Sequence, residues 1–413
     1  MDQVAQIIAE AAKIAVKETA DAPPPQFTGA VEWPVEASLG KGLEGAIACE
    51  SQIGYVDGTK GWLIYGGLNV FDLAEKSTYE ESSYLTLNGK LPTRAELTEF
   101  EKKLKDYGAV PDEVIETLKR LPKETHPMAA LRTGVSVLGC LDPNADEPTV
   151  ENEMEISIKL VAQLATIAGA VARIRKGEDV VPPDLELGHS ANYLYMSTGE
   201  KPDELLARIM DVALILHIDH GMNASTFTTM VVNSSLSDMY SSVVAGIGSL
   251  KGPLHGGANE RVLYDLNEIG TPDNTEPWYR AAREQKRLIM GFGHRVYKAY
   301  DPRARILKPL AALMAEKDPE MRKLYDIAIK LDDLVSTELG EAKGVFPNVD
   351  FYSGIVYTGL GFETAMFTPI FAVSRIAGWC ARALEYLADN RIFRPRAAYI
   401  GPMSADYVPI DQR

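Results

Sequence analysis

Four long segments of this chain, 160–172, 204–216, 227–250 and 371–388, carry few charges over lengths that exceed a typical strand. Helices of that composition are apolar nearly all round, so water must be kept from almost every face of them. This restricts the chain to a mainly α-helical fold in which several helices are enclosed by others. With 413 residues, 46% of them apolar, there is material for a large core and for two domains, or for one large domain carrying a second.

The remaining pattern fills in that frame. Val4, Ile7, Ile8, Ala11, Ile14 and Ala15 follow the spacing of an amphipathic helix that stops before Pro23, Pro24 and Pro25. Residues 1–41 therefore read as an N-terminal helical extension, packed on the body or on a partner subunit. Between 46 and 65 short β-type runs flank a DGTKG turn, which predicts a small N-terminal β-hairpin. Thr93 and Glu96 form a capping box, and Pro111 with Asp112 opens a further helix. Segments 142–152 and 176–188 separate helical blocks, and 270–275 interrupts a helical run. No repeat of 20 to 50 residues suggests a solenoid or propeller.

A formal net charge of -16 and a pI near 5.0 argue against nucleic acid or an anionic membrane as partner. An anionic metabolite remains compatible wherever arginines converge. Cys49, Cys140 and Cys380 are scattered and form no CxxC, so neither a disulfide framework nor a structural zinc site is expected. The apolar stretch 158–173 is broken by Lys159 and Gln163, and the N-terminus lacks the basic region and apolar block of a signal peptide. The reading is a cytoplasmic protein without a membrane span.

Four of the six histidines, His217, His220, His255 and His294, fall within 217–294 beside Gly, Asn, Ser or Asp. In HIDHGMNAS, His217 and His220 with Asp219 between them have the look of a metal pair, but a third ligand and the i, i+4 spacing are missing, so no metal is expected. LHGGAN sets Gly256 and Gly257 after His255, which permits a tight turn or the close approach of a ligand. GFGH sets Gly291 and Gly293 around Phe292: either an ordinary turn, or a loop whose amides and aromatic face cradle a nucleotide or phosphate. Two histidines and the carboxylate of Asp350 in NVDFYSG are the minimum equipment for taking a proton from carbon and steadying the enolate. Arg303 in DPR, Arg375 amid the apolar AVSRIAG and Arg394 before Pro395 suit a small dicarboxylate, because guanidinium binds carboxylate through two bonds and stays charged when desolvated. Arg382 and Arg391 read as surface ion-pairing residues.

At these residues the sequence resembles the citrate synthase family, from about 42 to 402. The resemblance implies an all-helical two-domain fold, with a large domain from 42–257 and 361–413 and a small domain, 258–360, closing over the active site. It implies that His255, His294 and Asp350 are catalytic and that His220, Arg303, Arg375 and Arg394 bind oxaloacetate. Arg394 would reach the neighbouring site of a homodimer, with a higher oligomer left open. Coenzyme A would lie along Gly291, Phe292, Gly293 and Lys298.

In the implied reaction Asp350 takes a methyl proton from acetyl-CoA, His255 holds the enolate oxygen and His294 polarises the oxaloacetate carbonyl. Citryl-CoA forms and is hydrolysed to citrate and CoA. Acetyl-CoA is a co-substrate, and neither a permanently bound cofactor nor a metal is implied. A 2-methylcitrate synthase using propionyl-CoA shares this catalytic set, and one methylene is worth only about 1 to 3 kcal/mol of discrimination. Two positions depart from the family pattern: Gly221 stands where glutamate is frequent, and Gly66 where a YRG segment has arginine. Both alter the hydrogen bonding expected locally.

Overall fold

The computed structural model describes residues 3–23, 29–316 and 318–413; Pro24 and Pro25, used above to end the first helix, lie outside them. The helices are α1 Gln3–Glu18, α2 Val70–Lys76, α3 Tyr79–Asn88, α4 Arg94–Tyr107, α5 Asp112–Lys119, α6 Pro127–Leu141, α7 Val150–Lys176, α8 His189–Thr198 and α9 Glu204–Ile215. They continue with α10 Ala224–Asn233, α11 Met239–Leu250, α12 Ala258–Ile269, α13 Thr275–Glu284, α14 Pro302–Ala315, α15 Pro319–Val335, α16 Glu341–Lys343, α17 Val349–Gly359 and α18 Phe367–Leu387. The strands are β1 Gly54–Asp57, β2 Trp62–Tyr65 and β3 Leu68–Asn69.

The predicted hairpin is present, with Tyr55 opposite Ile64 and Val56 opposite Leu63. Its turn is closed by the Asp57 carboxylate, which accepts the Thr59 and Lys60 amides. Two details differ from expectation. Residues 46–53 form no strand, and β3 adds a short third member to the antiparallel sheet.

The core is built around α7. This 27-residue helix is long and apolar enough to cross a bilayer, yet 78% of its apolar window is buried, against α4, α6, α8 and α18 among others. Leu160, Leu164 and Ile167 are fully enclosed, each worth about 1.5–3 kcal/mol. Thr149 caps its start by accepting the Asn152 amide, and Gly177 ends it at φ 75°. The predicted box at α4 is also present: Thr93 accepts the Glu96 amide while Glu96 accepts that of Thr93.

The apolar run 227–250 is not one helix. It breaks between Asn233 and Met239, where the Ser234 and Ser235 hydroxyls bond the carbonyls of Val231 and Val232, Leu236 turns to φ 64°, and Asp238 caps α11 through the Ser241 amide. Short hydroxyl side chains compete with the helical ladder for backbone partners, and hydrophobic periodicity does not register that competition. The break lets α10 and α11 fold back on each other.

Helix α1 buries Val4, Ile8, Ala11 and Ala15 against α2, α9 and α14 of its own chain, and Glu18 pairs with Arg305 of α14. Ile14 lies outside the buried stripe, 43% exposed. Ile8→Asp places a carboxylate in this apolar seam and is expected to cost about 3 kcal/mol. Thermal melting should fall by several degrees, and limited proteolysis should find α1 released while turnover persists.

Candidate active site

The loop between α11 and α12 carries His255 under the start of α10. The Ser225 amide donates to His255 Nε2 at 3.2 Å, and Ser225 Oγ lies 2.8 Å from the same nitrogen. Because a backbone N–H can only donate, Nε2 is the acceptor and the ring proton sits on Nδ1. Trp379 of α18 steadies the arrangement by donating its indole N–H to Ser225 Oγ at 3.1 Å. Burial, followed by the nearby Arg375 charge, pushes the His255 pKa down to about 4. The result is a neutral imidazole with its Nδ1–H edge fixed.

His294 is set by its own loop. Its Nδ1 accepts the amides of Val296 at 3.0 Å and Tyr297 at 3.1 Å, so its proton sits on Nε2. Burial again dominates and holds its pKa at about 4 despite Asp301. The His220 ring lies edge-on to it at 5.1 Å, with Nε2 3.2 Å from the Tyr297 hydroxyl.

Gly291 and Gly293, at φ 79° and 77°, let the GFGH loop zip onto the segment before α17. Gly293 N–H bonds the Phe346 carbonyl, Asn348 N–H bonds the Gly291 carbonyl, and the Asn348 side-chain amide bonds the Gly293 carbonyl. Hence the loop does not offer all its amides freely, and the Phe292 ring packs on Phe351 at 4.4 Å. Lys298 is exposed, with its amide held by the Gly58 carbonyl.

That zipper fixes the start of α17, which carries Asp350. Asn348 caps α17 by accepting the Asp350 amide at 3.0 Å. Asp350 Oδ1 is enclosed and has no hydrogen-bond partner among the described residues. Burial lifts the Asp350 pKa to about 7, with Arg303 opposing the rise and Asp301 adding to it. A carboxyl group held there is matched to proton transfer near neutrality.

Arg303, 2% exposed, is held by Asp301 through Nε at 3.0 Å and Nη2 at 2.8 Å; Asp301 also accepts the Val349 amide, tying α14 to α17. Arg375, 1% exposed, bonds the His217 carbonyl through Nε and lies over the Phe371 ring at 4.7 Å. Its Nη1 and Nη2 are buried without a partner among the described residues. Burial lowers its pKa to about 10, still far above neutrality. Buried guanidinium N–H groups without partners are costly, and an anionic ligand would offset that cost.

Arg394 is exposed on the extended C-terminal tail. Arg382 is no surface residue: it is 3% exposed and paired with Asp219, because α18 is enclosed along nearly its whole length, whereas Arg391 is exposed beyond its end. His217 is wholly buried, its Nδ1 on the Ala213 carbonyl and its ring against Phe371. Among the described residues no group of three or more His, Cys, Asp or Glu is placed to hold a metal ion. The two departures have steric reasons. Gly221 sits at φ 57° and Gly66 at φ 52°, where a Cβ on Gly66 would meet Leu85 at 2.8 Å.

A carboxyl poised near neutrality, two neutral imidazoles with assigned N–H edges and a buried guanidinium with unpaired N–H groups are the equipment of a helical enzyme that ionises a carbon acid beside a bound anion. A family model described as citrate synthase, C-terminal domain, matches residues 42–396. The chain belongs to the citrate synthase family, and its activity is citrate synthesis, an acyl transfer in which the acyl group becomes alkyl. It is 48% identical to citrate synthase of Deinococcus radiodurans over 91% of this chain and all of that one. Citrate synthase 2 of Bacillus subtilis is 46% identical over 90% of this chain and 99% of its own. Among solved structures, Thermoplasma acidophilum citrate synthase in ternary complex with carboxymethyl coenzyme A and oxaloacetate superposes with a TM-score of 0.88, at 36% identity over 92% of this chain and 100% of that one.

Proposed function

We propose that Arg375 Nη1 and Nη2, Arg303 and His220 receive the carboxylates of oxaloacetate, with His294 Nε2–H on its keto oxygen. The unmatched Arg375 guanidinium is the observation that carries this reading. The thioester carbonyl of acetyl-CoA lies on His255 Nδ1–H, and Asp350 takes the methyl proton while that hydrogen bond strengthens on the enolate oxygen. A neutral donor suits this task, since full protonation of the enolate would quench the nucleophile. The enolate carbon attacks the keto carbon, the new C–C bond gives citryl-CoA, and water cleaves the thioester to citrate and CoA.

CoA lies along Gly291, Phe292 and Gly293 with Lys298 near its phosphates. The segment 258–360 acts as a small domain that closes over 42–257 and 361–413 to keep the enolate from bulk water. Mutual packing of α12, α14, α15 and α17 supports that grouping. The working unit is a homodimer in which the tail carries Arg394 to the neighbouring site; Ile400, Tyr407 and Ile410 on that tail are 95%, 82% and 71% exposed in the single chain. The three cysteines are free thiols, which supports a cytoplasmic setting.

Steady thiol release on mixing oxaloacetate with acetyl-CoA tests the assignment. kcat/KM for acetyl-CoA is expected to exceed that for propionyl-CoA by about 10-fold or more. A propionyl-CoA preference overturns the choice of acyl group, and no release with either thioester overturns the reaction.

A further inference from the structure

Helix α18 grips the loop between α9 and α10 at two points seven residues apart. Arg375 holds the His217 carbonyl, and Arg382 closes a fork on Asp219, Nε to Oδ1 at 3.1 Å and Nη2 to Oδ2 at 2.8 Å. Helix and loop are in backbone contact here, since a Cβ on Gly378 would lie 2.0 Å from the Ile218 carbonyl oxygen. Arg382 reaches further, with Nη2 on the Gly54 carbonyl at 3.0 Å and Nη1 on Ser51 Oγ at 2.8 Å. The Asp219 carboxylate also accepts the Gly221 amide at 3.0 Å. His220 is thus flanked on both sides by groups tied to one carboxylate, and that carboxylate is held by Arg382.

We infer that Arg382 is a positioning residue for oxaloacetate: through Asp219 it sets His220 at the separation from Arg375 that the dicarboxylate requires. Both side chains are enclosed, 4% and 0% exposed, and a buried ion pair contributes little net stability over an apolar pair of similar volume while defining geometry closely. Only an arginine serves all four contacts, because its planar fork bonds the carboxylate with one edge and leaves further N–H groups for Gly54 and Ser51. The pair therefore joins the sheet, the histidine loop and the arginine helix into one frame. The inference rests on the proposal that His220 and Arg375 contact oxaloacetate.

Two variants test it. Arg382→Lys keeps the charge but cannot form the fork. Asp219→Asn combined with Arg382→Met removes both charges, so neither is left buried and unpaired. KM for oxaloacetate is expected to rise about 10-fold or more in the double variant and less in Arg382→Lys, with KM for acetyl-CoA unchanged and kcat altered less than about threefold. An unchanged oxaloacetate KM together with a lowered melting temperature overturns the inference and leaves a purely structural pair. Failure of Arg382→Lys to fold overturns it too, making the pair a folding determinant. His220→Ala and Arg375→Gln serve as controls: an unchanged oxaloacetate KM in these refutes the underlying contacts rather than the role of Arg382.

Discussion

Asp350→Asn is expected to cut thiol release from oxaloacetate and acetyl-CoA about a thousandfold or more while the protein stays folded. The substitution is isosteric, and the Asn348 cap that fixes this turn uses only the residue 350 amide. The same variant should be more stable than the wild type above neutrality. Burial raises the folded pKa of Asp350 to about 7, so the folded state binds this proton more tightly than the unfolded chain does. Stability from that proton is fully present below the ordinary aspartate value and is lost as pH rises to about 7. Asparagine cannot ionise and escapes the loss. Melting curves should therefore diverge between about pH 4 and about pH 7 in favour of the variant and run parallel above that, and wild-type kcat/KM should climb through about pH 7. A wild-type profile flat from pH 6 to 8, or a variant that turns over normally, would sink the role of Asp350 as base.

Arg375→Gln is expected to raise KM for oxaloacetate about 100-fold or more, in keeping with the 2–5 kcal/mol at stake when one partner of a buried, hydrogen-bonded charge pair is truncated. KM for acetyl-CoA should change far less. Stability should change little, because relief of the unmatched cation is offset by the weakened bond to the His217 carbonyl. Wild-type protein should melt at higher temperature with oxaloacetate present, as a ligand of the folded state requires, and the variant should lose most of that shift. An equal shift in both proteins would place the dicarboxylate elsewhere.

Both predictions concern residues that the sequence already marks, by an aspartate in NVDFYSG and an arginine amid apolar neighbours. Other parts of the site left no such mark. Ser225 and Trp379 lie 154 positions apart, and only folding reveals that an indole N–H steadies the hydroxyl beside His255. Asp301 stands next to DPR's proline as an ordinary helix cap, yet it also holds the Arg303 guanidinium and the amide before Asp350. Arg382 has the look of a solvated charge because apolar spacing cannot distinguish an exposed face from one that meets a buried carboxylate 163 residues away. Likewise 227–250 is apolar throughout, while its break depends on serine hydroxyls satisfying the backbone locally.

Sequence by itself determined the mainly helical class, the hairpin and its turn, the capping box of α4 and the start of α5, and it nominated the histidines, aspartate and arginines proposed for the chemistry. Those are matters of local backbone preference and polarity, written within a few residues of where they act. Tertiary structure alone decided which nitrogen of His255 and His294 carries the proton, why burial lifts the Asp350 pKa to about 7, that Arg375 Nη1 and Nη2 have no hydrogen-bond partner among the described residues and that Arg382 is paired with Asp219. Each depends on desolvation and on partners brought together from distant parts of the chain, quantities that come into being only when the helices pack.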